Sequence, residues 1–243
     1  MLTAGEAIRR MEALPVADLA TILGGRTPLV LAPHADDESL GCGGLLAECA
    51  ERGIPARVLV LTDGTGSHPN SRLYPPERLR DLREAETRRA VAILGLDPAR
   101  VSFLGLRDTA VPMQGPAFDA AVEAILRSFP PDPILLAPWQ HDPHGDHEAA
   151  HFMAVAATAR SGAPHLAYPV WGWTLPEETP LGGALPSGWR LDITRHLPRK
   201  RDAIAAHASQ YSDLIQDDPG GFRLPEGLLA RFERPFETFL AVG

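Results

Sequence analysis

Between residues 28 and 160, short apolar runs alternate with longer segments of mixed polarity. Pro28-Leu29-Val30-Leu31-Ala32, Val58-Leu59-Val60-Leu61 within 56–62, Val101-Ser102-Phe103-Leu104 and Pro133-Ile134-Leu135-Leu136-Ala137 are almost unbroken in hydrophobicity. Such runs mark strands buried on both faces. The stretches between them predict helices at 40–53, at 76–94 with Gly95 as the C-cap, at 116–129 and at 147–160. Strand alternating with helix predicts an α/β fold: Rossmann-like, with a mostly parallel sheet and helices on both faces. Ahead of this unit, residues 4–23 read as one or two amphipathic helices. After 165 the regularity fades. Residues 171–190, rich in Trp, Pro and Gly, read as an irregular loop or lid. A strand near 189–193, a helix over 198–209 and a closing strand at 237–242 follow. No internal repeat interrupts the pattern, and residues 1–243 read as one domain.

Two of the strands run into polar turns that carry most of the chemistry. The first ends in Pro33-His34-Ala35-Asp36-Asp37-Glu38 and the fourth in His141-Asp142-Pro143-His144-Gly145-Asp146-His147, with His151 one helical turn on. In an open α/β sheet both turns lie at the carboxyl ends of strands, where ligands bind. A catalytic zinc takes three protein ligands plus water. His34 and Asp37 can supply two ligands from one turn and the second turn a third, while Asp36 stands ready to take a proton from water activated there.

These motifs resemble the zinc-dependent PIG-L/LmbE-like deacetylases. His34-Ala35-Asp36-Asp37-Glu38 matches the family's His-Pro-Asp-Asp-Glu. His144-Gly145-Asp146-His147 with His151 matches its His-Pro-Asp-His followed by a third His. The likeness extends to Thr62-Asp63-Gly64, Arg83-Glu84-Ala85-Glu86 and Phe103-Leu104-Gly105-Leu106-Arg107-Asp108, and more faintly to His207-Ala208-Ser209-Gln210. Ala35 and Gly145 stand where the family has prolines, which loosens both turns without removing a functional group. The resemblance implies Zn²⁺ (or another divalent metal such as Fe²⁺) held by His34, Asp37 and His147, with Asp36 as general base. It implies that His144 stabilises the oxyanion or protonates the leaving amine, that Asp146 orients His144, and that Arg83 and Asp108 contact the sugar. The implied substrate is a small N-acetylated amino sugar or its conjugate.

Two other functions compete. His147-Glu148-Ala149-Ala150-His151 spells the His-Glu-x-x-His of zincin proteases, in which Glu148 would be the base. A non-catalytic Rossmann-like module for a glycan or nucleotide would need no metal. Gly41-Cys42-Gly43-Gly44 lacks the full dinucleotide fingerprint and reads as close packing. His141 and His151 read as supporting residues, and Trp171 and Trp173 as a packed loop or a sugar-pocket wall.

Composition trims the remaining classes. With 44% hydrophobic and 22% charged residues and a formal net charge of −8, the chain has the balance of a globular enzyme and no basic cluster for nucleic acid. No stretch approaches the ~20 apolar residues of a membrane span. Residues 1–6 have neither a basic region nor an apolar core of a signal peptide, and Cys42 and Cys49, on one predicted helix, lie roughly 10 Å apart, too far for a disulfide. A cytoplasmic location is expected, with a homo-oligomer left open.

Overall fold

The structure, a computed structural model, describes residues 2–242. In chain order its elements are β1 (Leu2–Thr3), α1 (Ala4–Glu12), α2 (Leu19–Leu23), β2 (Thr27–Ala32), α3 (Asp37–Glu51), β3 (Arg57–Thr62), α4 (Pro76–Ile93), β4 (Val101–Leu106), α5 (Gly115–Arg127), β5 (Pro133–Pro138), α6 (Gly145–Ser161), β6 (His165–Tyr168), β7 (Pro180–Leu181), β8 (Gly188–Asp192), α7 (Leu197–Ala206), α8 (Ala208–Tyr211), α9 (Glu226–Phe232) and β9 (Phe236–Ala241). Seven strands form one sheet in the order β4-β3-β2-β5-β6-β9-β8. The five from β4 to β6 are parallel, while β9 runs antiparallel to both of its neighbours.

The period of two along each strand distributes the core. Val30 and Ala32 of β2, with Val58 and Val60 of β3, pack beneath α3, α4 and α7. Leu29, Leu31, Leu59 and Leu61 point the other way, beneath α5 and α6. Strands covered on both faces have no solvent side, which is why the four apolar runs lack polar alternation. Helix α3 lies unusually close to the sheet: a Cβ at Gly41 would sit 2.2 Å from Tyr168, and one at Gly44 2.3 Å from Ile193. The glycine cluster is therefore a packing feature, as its spacing suggested. Cys42 and Cys49 are free and buried.

The central helices and strands lie within a few residues of their predicted bounds. Helix α3 differs most, starting at Asp37, so two of the acidic residues of the first turn open the helix itself. Past residue 165 the sequence reading missed β6, β7 and α9. The segment 171–190 is more ordered than a free loop. Trp171–Thr174 form a 3-10 turn, and β7 pairs with β1 while Ala4 and Gly5 donate to the Thr179 and Glu177 carbonyls.

The chain winds from β2 to β3 and β4 on one side, then returns to place β5 on the other side of β2. That reversal leaves a crevice at the carboxyl ends of β2 and β5. Both polar turns open into it.

Candidate active site

The turn after β2 is wound tightly. Thr62, at the end of β3, donates from its backbone N and Oγ1 to the Pro33 carbonyl (3.0 and 2.9 Å), and Arg83 of α4 donates to the Ala35 carbonyl (2.7 Å). These bonds hold the turn although Ala35 replaces a proline. Asp36 caps α3 with φ 143°, a conformation L side chains rarely adopt and one that costs on the order of 1–3 kcal/mol. Glu38 offsets part of that cost: its Oε2 accepts the Asp36 N–H (3.1 Å), and its Oε1 pairs with buried His207 (2.9 Å). The faint His207–Gln210 similarity thus marks a support for the strained Asp36 turn, a role that spacing alone could not show.

Two imidazoles able to ligate a metal approach the same oxygen of Asp37. Asp37 Oδ2 lies 3.3 Å from His34 Nδ1 and 3.2 Å from His147 Nε2. Tetrahedral ligands about 2.0–2.1 Å from zinc stand about 3.3 Å from one another. Second partners set which nitrogen of each ring is free. His147 Nδ1 donates to Asp142 Oδ2 (3.0 Å), and Asp142 is itself fixed by the N–H groups of Val170, Trp171 and Gly172. His34 Nε2 donates to Asp146 Oδ2 (3.1 Å) and lies 3.3 Å from Asp108 Oδ1. Both lone pairs therefore face Asp37, the usual carboxylate–histidine support of a metal site. His147 Nε2 is fully buried and has no hydrogen-bond partner. An orphaned buried nitrogen aimed at a carboxylate and a second imidazole fits a cation.

The electrostatics agree. Burial opposes charge on His34, but Asp108, Asp146 and Asp37 outweigh it and raise its pKa well above the ordinary value. Burial likewise opposes charge on His147, yet Asp37 and Asp142 lift it to about 9. Burial acts to raise Asp37 too, but His147 and His34 hold it well below the carboxylate range. The site is built for positive charge, whether brought by protons or by a metal. Asp36 behaves differently. Burial pushes it up to about 7 against the pull of Arg83, whose Nη2 lies 3.5 Å away.

His144 is the third nearby imidazole; the rings of His34, His144 and His147 can bring nitrogens within 4.8 Å of one another. Its Nδ1 accepts the Asp146 backbone N–H (3.2 Å). Burial, together with the charges of His34 and His147, keeps its pKa low. A neutral ring whose Nδ1 is an acceptor carries its hydrogen on Nε2, so His144 offers a donor rather than a metal ligand. The contact expected between Asp146 and His144 is made by the Asp146 backbone and not by its carboxylate. That carboxylate goes to His34 and to the N–H groups of Thr109 and Val111 (2.8 and 3.1 Å), and only the Asp146 backbone touches His144.

The cleft over these groups encloses about 400 Å³. Arg83 and Asp108 both line it, but each also has work within the protein. Arg83 bonds the Gly64 and Ala35 carbonyls, leaving Nε without a partner. Gly64, at φ 66°, leaves the room Arg83 needs; a Cβ there would meet its side chain at 2.8 Å. Asp108 accepts the Gly66 N–H (2.9 Å), and its pKa is about 2 because His34 and Arg83 outweigh burial. The opposite wall is apolar, with Trp171 edge-on to Phe222 at 5.8 Å. Trp173 does not reach the cleft. Gln210, buried on the rim, donates from Nε2 to Ser67 and Ser209, whose hydroxyls are spent on the Gly64 carbonyl and Glu86. Its Oε1 is thereby left a buried acceptor without a partner.

The zincin constellation does not assemble. Glu148 is exposed, and His151 turns to the Pro138 carbonyl (3.2 Å) and stacks near His165 at 5.6 Å. His141 lies with His151 on a separate cavity.

Comparison with known proteins gives concordant results. The family model described as PIG-L: GlcNAc-PI de-N-acetylase matches residues 29–158, more than half the chain. The chain is 25% identical over 198 residues to the probable N-acetyl-alpha-D-glucosaminyl L-malate deacetylase 2 of Bacillus anthracis, covering 79% of this chain and 84% of that protein. It is 27% identical to the 1D-myo-inositol 2-acetamido-2-deoxy-alpha-D-glucopyranoside deacetylase of Rhodococcus jostii, covering 76% and 82%. The fold is similar to that of the N,N'-diacetylchitobiose deacetylase of Pyrococcus horikoshii, with a TM-score of 0.66 at 22% identity over 96% of this chain and 88% of that one.

Proposed function

The chain belongs to the GlcNAc-PI de-N-acetylase (PIG-L) family, and we propose that it hydrolyses the N-acetyl amide of a small amino sugar or its conjugate, with zinc held by His34, Asp37 and His147. The observation that carries this reading is the convergence of two imidazole lone pairs on Asp37 Oδ2 at 3.3 and 3.2 Å, with His147 Nε2 otherwise unpaired. Zinc, when bound, supplies a Lewis acid that polarises the amide carbonyl and acidifies water.

The chain's own groups do the rest. Asp36 is buried beside the ligands with a pKa of about 7, suited to taking a proton from the attacking water near neutral pH and returning it to the leaving amine. The His144 Nε2–H donates to the carbonyl oxygen as negative charge develops there. Asp146, placed on His34, acts as a positioning residue. Arg83 and Gln210 line the cleft that receives the substrate, while Trp171 and Phe222 give its apolar ring face a surface to lie against.

The test is acetate release from N-acetylglucosaminyl compounds, with metal measured on the same sample. About one divalent metal per chain is expected, and His34→Ala, Asp37→Ala and His147→Ala should lose metal and activity together. Full metal occupancy in all three variants would refute the ligand set.

A further inference from the structure

A second cavity, of about 270 Å³, backs onto the catalytic cleft. Leu40 lines both, three residues after Asp37. The two cavities have opposite electrostatic character. The cleft is lined by Asp36, Asp37 and Asp108 against one arginine, Arg83. The second cavity is lined by Arg190, Lys200, Arg231 and Arg234 against two carboxylates, Glu12 and Glu237.

Both carboxylates are already committed. Glu12 receives Arg231 (3.2 Å) and Arg234. Glu237 receives Lys200 (2.7 Å) and the backbone N–H groups of Gly44 and Leu45 (2.7 and 2.8 Å). Lys200 is only 1% exposed, and its three ammonium hydrogens have that single acceptor among the described residues. Arg190 spends Nε on the Leu14 carbonyl (2.8 Å) and lies 4.7 Å over the Phe236 ring, with no carboxylate in ion-pair range among the described residues. Two cations thus exceed the carboxylates, and unspent donors surround a volume walled on its other sides by Leu40, Trp173 and Phe232. An excess of positive charge with donors to spare favours an anion, and the apolar walls suit one with a short hydrocarbon end.

We propose that this cavity is a binding site for a small carboxylate, and that its ligand is the acetate freed in the cleft. The identity of the ligand rests on the deacetylase reading; the chemistry of the site does not. Acetate freed in the cleft has both the charge and the short hydrocarbon end that the basic cavity suits, and Leu40 lines the two cavities in common.

The experiment is a titration of the metal-loaded protein with carbon-13-labelled acetate, followed by NMR line broadening, on wild type, Arg190→Gln and Glu12→Gln. Acetate bound in the cleft is common to all three proteins and cancels in the comparison. Arg190→Gln should weaken the cavity site roughly tenfold, the usual worth of a charge-assisted contact. Glu12→Gln, by releasing Arg231 and Arg234, should tighten it. Acetate binding unchanged in both variants would overturn the proposal, and Glu12→Gln decides the matter should Arg190→Gln fail to fold. Hydrolysis is assayed separately on the same samples. Variant-sensitive acetate binding without hydrolysis supports the site and removes the deacetylase reading; hydrolysis with variant-insensitive binding removes the site alone.

Discussion

The Asp146 N–H bonded to His144 Nδ1 decides between two roles that adjacent histidines could exchange. His147 has its Nδ1 hydrogen taken by Asp142, which leaves the lone pair on Nε2; His144 has its Nδ1 lone pair taken, which leaves the hydrogen on Nε2. His144→Ala should accordingly retain most of its metal, by metal analysis, while kcat falls about 10²–10³-fold, the size of one lost oxyanion partner. Complete metal loss in that variant would make His144 a ligand. That these side chains belong together was legible in the sequence because both polar turns end apolar runs. The allocation of their nitrogens was not, since it depends on partners such as Asp142 and Thr109 that no motif marks.

At the scale of elements, the site is a junction of loops. The loop after β5 gives Asp142 and His144, the first turn of α6 gives His147, and the segment after β6 reaches back with three backbone N–H groups to hold Asp142. That contact joins β5 to β6, the strand the sequence reading missed. Its four residues, His165–Tyr168, are too few for a period to declare itself. The strands from β2 to β5 were legible because burial on both faces writes unbroken apolar runs into them, and the two loaded turns were legible because they end such runs. The basic cavity was not, because Arg190, Lys200 and Arg231 come from separate elements that only the closing antiparallel strands bring together. Asp142→Asn should weaken metal affinity about 10–100-fold, the usual cost of losing such a supporting carboxylate. A competition titration with a metal chelator measures it, and unchanged affinity would mean that Asp142 serves the loop alone.

For the whole molecule, acid stability has an identifiable source away from the site. His165 is buried on β6 with neither ring nitrogen bonded, and burial, with the nearby charge of His151, pushes its pKa down to about 3. A histidine whose folded pKa lies below its unfolded value of about 6.5 binds more protons when unfolded, so stability is full above that pH and is lost as pH falls toward 3. Between pH 7 and pH 5 the loss amounts to about 2 kcal/mol. His165→Leu should flatten the decline in thermal midpoint over that range, and a decline as steep as wild type's would clear His165.

Turnover tests the central claim, that two loaded turns meeting at the carboxyl ends of β2 and β5 form a metal-assisted deacetylase with Asp36 as its base. The measurement is kcat for acetate release from one N-acetylglucosaminyl substrate by Asp36→Asn and Glu148→Gln at matched metal occupancy. The account predicts that Asp36→Asn binds about one metal per chain yet loses about 10²–10⁴-fold in rate, while Glu148→Gln, altering an exposed side chain, stays near wild type. An Asp36→Asn enzyme of nearly normal rate beside an inactive Glu148→Gln would contradict it.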